Sequence, residues 1–334
     1  KPGNGKQVFL NEFAPDLPLS TPGIILDAIN ALPVMAGFKP MPSLETLTTT
    51  ALASRPTGAV RAYYSDESTA LFAGTLTHLY LWSGTGWVAA DSTTYAATGP
   101  WVFSQFGDDV LAVAPGAAFQ VAAAKAVTFA ALGGTPPSGA TSVLSIAGQV
   151  LAFKAGDWYS SAAGTDNNWV PNVALLAATA TLYDYPGPVV ASAPIFRSAL
   201  AFKKNAIWLG QQSGPPFSWS WALISGETGT WSQSCVITGP DFVAFLGIDD
   251  FWMTQGYAPQ RIPNNVKEWF FKNLNGTYIG STLGWYDAFN SVLYWHFVST
   301  NGPNPATCDL FVSYNVRAKR WCTGHMAVSA TLYW

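Results

Sequence analysis

The chain has 334 residues, a formal net charge of -3, and 49% hydrophobic and 14% aromatic residues against only 10% charged ones. Soluble domains carry about 25% charged residues, so much of this surface is expected to be covered by partners; a monomer with an uncharged Ser/Thr/Asn/Gln surface is the alternative. Mild acidity excludes a basic patch that grips a nucleic-acid backbone, and the most apolar long stretch, Val110 to Gly133, is broken by Pro115, Gly116, Gln120 and Lys125, so it does not read as membrane-spanning.

Residues 1–58 are set apart by Pro2, Pro15, Pro18, Pro22, Pro33, Pro40, Pro42 and Pro56, which permit only short extended pieces. They read as an N-terminal arm lying along a sheet or a neighbouring subunit. No basic segment followed by an apolar one opens the chain, so no leader is read there.

From residue 59 to 334 a unit recurs, in which an apolar strand, a small polar or Gly turn and a second apolar strand with an aromatic follow one another. Leu71–Gly74 leads to His78–Trp82, Trp101–Phe103 to Val110–Val113, and Ile146–Phe153 to Trp158–Ser160. Ser198–Phe202 leads to Ala206–Leu209, and Phe242–Phe245 to Phe251–Met253. The last copy is the fullest: Leu283–Asp287, Val292–Val298, Cys308–Tyr314 and a strand opening at Arg320. Spacings of roughly 40 residues and four strands per unit predict an all-β propeller of about six four-stranded blades, a composite seventh being left open. Met326 to Trp334 reads as a closing strand that pairs with Val60–Tyr64 or with the arm. One short helix near 265–274 is expected, with Asn264 at its start and Val266, Trp269, Phe270 and Asn273 on one face.

Cys235, Cys308 and Cys322 are too few for a disulfide scaffold and suit a reducing compartment. His78, His296 and His325 fall in separate units, and His296 reads as a core residue. The acidic pairs Asp108-Asp109 and Asp249-Asp250 lie in strand-turn-strand links, where Asp bonds its own backbone, and adjacent carboxylates in a turn point apart. No metal-binding, nucleotide-binding or nucleophile motif occurs, so neither enzyme activity, nor a metal, nor a cofactor is expected. The loop Gln211 to Trp221 is the best surface candidate: Phe217, Trp219 and Trp221 on a Pro/Gly loop suit sugar stacking or a protein interface, or else the two tryptophans alternate on a strand and cap a blade.

Phe13-Ala14-Pro15-Asp16-Leu17-Pro18, Asp27 to Pro33 and Gly37 to Ser43, with later blade cores Ile195 to Phe202 and Asp309 to Asn315, resemble a class of bacteriophage virion proteins whose β-propeller follows such an opening. Within it the chain is most similar to the tail nozzle (tail tubular protein B) of short-tailed phages, though it is shorter. The resemblance implies a homo-oligomeric ring, expected to be hexameric, in a head-to-tail complex assembled in the bacterial cytoplasm. Its partners would be adaptor or portal-side proteins and tail fibres or spikes, with phage DNA passing through it during ejection. A receptor- or glycan-binding propeller without catalysis is the alternative.

Overall fold

The computed structural model describes residues 12–331 except 36, 43, 44, 47, 49 and 303–306. The first eleven residues of the arm, part of the last blade's long loop and the final three residues thus lie outside the described residues. The fold is an all-β six-bladed propeller. Six four-stranded sheets are each an antiparallel meander, in which every strand hydrogen-bonds its sequence neighbours. No seventh sheet of this size occurs among the described residues. The chain forms two compact units, residues 46–260 with 329–334, and residues 1–45 with 261–328.

The first unit carries five blades. Their first strands are Gly58–Tyr63, Val102–Phe106, Ser142–Ile146, Ala191–Ile195 and Val236–Thr238, and consecutive first strands are spatial neighbours. Hydroxyls and the side-chain amides of Gln105 and Gln233 link them, Gln105 bonding both N and O of Tyr63. Ser104 Oγ donates to Ser145 Oγ at 2.8 Å, Ser142 and Ser192 hydroxyls lie 2.5 Å apart, and Gln233 Oε1 accepts from both Ser142 Oγ and Ser192 N. The second strands, such as Gln149–Lys154 and Ser198–Phe202, are buried almost end to end, as strands covered on both faces must be. Between blades the cores are continuous: Phe72, Trp101 and Val110 pack together, as do Val113, Phe119, Val150 and Trp169, and then Phe153, Trp158, Trp208 and Trp219. Trp101 Nε1 donates to Thr75 O at 2.6 Å, and its ring lies where a Cβ on Gly74 would come within 2.4 Å, so only glycine fits there.

The other unit holds the sixth blade, built from Leu283–Asp287, Val292–Phe297, Cys308–Asn315 and Arg320–Val328, close to the strands read from the sequence. Its described arm residues pack on that blade. Ile29 bridges Thr323 in parallel, Asn30 N donates to Thr323 O, Thr323 N donates to Ala28 O, and Leu32 enters the core beside Val292, Tyr294 and Phe311. Among the described residues the one α-helix is Lys267–Asn273, two residues shorter at its start than expected; Asn264 Oδ1 accepts from Lys267 N, and Val266 and Phe270 are buried.

The described part of the expected closing stretch, Met326 to Thr331, forms no separate strand, and residues 332–334 lie outside the described residues. Met326 to Val328 end the long strand Arg320–Val328, which passes a bulge at Cys308/Leu310 so that Val328 pairs with Cys308. Gly324 lies within that strand, where only glycine fits, since a Cβ there would meet the Phe311 ring at 2.3 Å and Asn30 Oδ1 at 2.4 Å.

Candidate functional site

In a four-stranded meander the turn after the first strand and the turn after the third emerge at the same end of the blade. In blades three to five this end carries the candidate surface. Blade four contributes the hairpin tip Phe196, in left-handed backbone (φ 53), and the loop residue Phe217; blade five contributes Tyr257. These side chains are 69%, 70% and 78% exposed, against almost none for the phenylalanines of the second strands. Val170 and Val173 of blade three add exposed aliphatic surface. Neighbouring tips are in register: a Cβ on Gly256 would lie 3.8 Å from the Ile195 side chain, which places the blade-five turn against the blade-four hairpin.

The structure separates the three aromatic residues singled out in the sequence. Phe217 stands in solvent, after the cis Pro215-Pro216 bond. Trp219 and Trp221 alternate on the strand Trp219–Ser225 and turn toward blade three. Trp219 is buried, and its Nε1 donates to Gln149 Oε1 at 3.1 Å. The half-buried Trp221 lies 5.9 Å from both Phe153 and Trp158, and its indole nitrogen has no hydrogen-bond partner.

Gln149 holds this arrangement and was not a candidate in the sequence. Fully buried, it donates from Nε2 to Ser161 O at 2.6 Å and to Leu176 O at 2.9 Å, while Oε1 accepts from Trp219 and from Gln212 Nε2 at 2.7 Å. Its one available signal was an amide opening an otherwise apolar strand. Beside it a cavity of about 210 Å³ is walled by Asn172, Val173, Thr179, Pro216 and Ser218. Asn172 caps the short turn Val173–Leu175, accepting from the amides of Ala174 and Leu175.

The structural comparisons find propellers. Over 85% of this chain and 86% of the other, it matches the structure of U3-55K with a TM-score of 0.52 at 10% identity. The RRP9 WD40 repeats match with a TM-score of 0.51 and 10% identity, covering 85% of each chain. At this identity the likeness shows the fold alone. No protein-family model matches the chain, nor does any curated protein sequence.

The groups that suggested chemistry in the sequence are engaged in building the fold. His296 is buried in the sixth blade, where its Nε2 accepts from Trp285 Nε1 at 2.8 Å, its Nδ1 has no partner, and burial pulls its pKa down to about 3. His78 Nδ1 lies 3.1 Å from Asp91 Oδ1. Asp249 Oδ1 accepts from Trp252 Nε1 and Asp250 Oδ1 from Phe251 N, both within the turn that carries them. All three cysteines are buried thiols outside any disulfide; burial pushes the Cys322 thiol up to about 12 and the Cys235 thiol up to about 11. Among the described residues no group of three or more His, Cys, Asp or Glu side chains is placed to hold a metal ion, and no helix is long and apolar enough to cross a membrane.

Proposed function

We propose that this chain is a non-catalytic structural component of a bacteriophage tail, a nozzle-like ring subunit that works by assembly. One observation carries the reading: the aromatic tips Phe196, Phe217 and Tyr257 project into solvent from the same end of neighbouring blades, in a protein with only 10% charged residues. Exposed aromatic residues on rigid turns are what protein interfaces use as anchors. The sequence resemblance to short-tailed phage nozzles supplies the assembly, with adaptor or portal-side proteins and fibres as partners and DNA passing without being gripped. Electron microscopy and sedimentation of the purified protein test it. Rings that are lost in the Phe196→Ser/Phe217→Ser double variant are expected; a protein that stays monomeric at every concentration, alone and with an adaptor, defeats it.

The cavity lined by Asn172, Thr179, Pro216 and Ser218, the last two flanking the exposed Phe217, favours a second reading as a glycan-binding propeller. Binding of host-surface glycans by a monomer, abolished by Phe217→Ala, would select that reading.

A further inference from the structure

The strand Trp219–Ser225 is the outermost of blade four and has seven residues, whereas the fourth strands of blades one, two, three and five have two to four. Beyond its pairing with Ile207–Gln212, none of its backbone groups bonds another described residue, so one edge of the ladder is open. Folded proteins guard such edges with Lys, Pro, a bulge or a covering segment. Trp219–Ser225 holds no charged residue and no proline, and its one bulge, at Ile224, leaves Trp219–Leu223 in regular register with Trp208–Gln212. Blade six shows a long edge that is covered. There the arm lies on the outermost strand Arg320–Val328: Ile29 bridges Thr323, Asn30 N donates to Thr323 O at 2.9 Å, and Thr323 N donates to Ala28 O at 3.0 Å.

Trp219 and Trp221 pack on the core shared with blade three and hold the strand in place, while Ser220 and Ala222, on its other face, are small and exposed, and Leu223 is 41% exposed. An edge already held in place accepts a further strand at little cost in ordering. Charge selects the occupant. Like charges set opposite each other destabilise a strand pair, and a strand without charge meets a copy of itself free of that penalty. We infer that Trp219–Ser225 pairs antiparallel with the same strand of a second copy of this chain, about a two-fold axis near Ala222. Both open edges close at once in that pairing. The contact is its own complement, so it joins copies in pairs, and it does not rest on the ring contact through Phe196 and Phe217. A ladder this short falls well below the about 1,600 Å² of a standard interface, so the pairing is weak and concentration-dependent.

Sedimentation velocity over a concentration series, with amide hydrogen exchange at the same concentrations, tests the pairing in the wild type and in the Phe196→Ser/Phe217→Ser variant. In both proteins, exchange at Trp219–Leu223 is expected to slow as concentration rises, and the double variant, stripped of its aromatic tips, is expected to pass from monomer to dimer. Ala222→Lys and Ala222→Glu, each added to the double variant, are expected to weaken the dimer by about tenfold or more, and an equal mixture of the two to restore it. Wild-type amides at Trp219–Leu223 that exchange at the same rate at every concentration overturn the inference without recourse to any variant. Dimers that survive both Ala222 substitutions overturn it as well. So does a mixture that stays monomeric although each Ala222 variant melts like its parent. Rings lost with the aromatic tips while the dimer persists separate this contact from the ring reading.

Discussion

Asp16 caps a helix that begins far along the chain: its Oδ2 accepts from Glu268 N and its Oδ1 from Trp269 N, each at 2.8 Å. The first-turn amides of a helix have no partner within it, so the arm supplies one from outside. Asp16→Ala is expected to cost about 1 kcal/mol, and at most ~2 kcal/mol. Hydrogen exchange should locate the loss in residues 267–273; unchanged protection there refutes the cap.

Leu32 makes the arm part of a core. It is 1% exposed and packs on Val292, Tyr294 and Phe311. Leu32→Ala is expected to destabilise by about 2–5 kcal/mol, read as a lowered urea midpoint for this unit. An arm that served assembly alone would show no such change.

Phe217 and Trp219 should behave as opposites despite lying two residues apart. Phe217→Ser is expected to change stability by less than about 0.5 kcal/mol, its effect appearing only in assembly or ligand binding. Trp219→Ala removes a buried side chain and a hydrogen bond to Gln149, and should cost about 3–5 kcal/mol. Gly210 backs the same cluster: a Cβ there would lie 2.6 Å from the Trp221 ring, so Gly210→Ala should cost about 1–3 kcal/mol through overpacking. Denaturant melts of the three variants beside the wild type check all of these values.

His296 sets an acid limit on stability. Burial between Trp285 and Phe311, in the stack with Tyr294, lowers its pKa from 6.5 to about 3. Between those values the unfolded chain binds a proton that the folded chain refuses. Its contribution is therefore whole above pH 6.5 and is lost as pH falls toward 3, with a slope approaching about 1.4 kcal/mol per pH unit. His296→Gln should flatten that part of the profile in urea melts across this range. A slope that the variant leaves intact assigns the acid sensitivity to other groups.

Lys203 is buried among backbone carbonyls, donating from Nζ to Leu182 O and Tyr185 O, each at 2.5 Å, with the Trp208 ring 5.0 Å away. Lys203→Met keeps the stem but strands two acceptors. A loss of about 2–4 kcal/mol is expected, and a variant as stable as the wild type would mean that water replaces the ammonium.

Part of the blade pattern was legible because a hairpin turn announces itself: Ala155-Gly156 interrupts an apolar run, whereas Ala147-Gly148, read as part of one strand Ile146–Phe153, is in fact a left-handed turn between Ser142–Ile146 and Gln149–Lys154. The shortest fourth strands were not. Ala130–Ala131 and Gln260–Arg261 are two residues each, exposed and without alternation, and exist as strands only because a third strand offers them an edge. The seat of the arm was equally hidden, since Ile29 meets Thr323 and Asn30 Oδ1 meets His325 N across most of the sequence. At the candidate site the aromatic loop was visible, but which aromatic faces solvent depends on Gln149, whose amide ties down Trp219 from another blade.

The hydroxyl and amide links between first strands are electrically neutral from blade two to blade five, whereas blades one and two share an ionic contact as well, Lys125 with Asp66 and Asp108. Ionic strength weakens the second kind of contact and hardly touches the first. High salt is therefore expected to loosen the seam between the first two blades, where this ion pair lies, more than the seams held by the neutral hydroxyl and amide links.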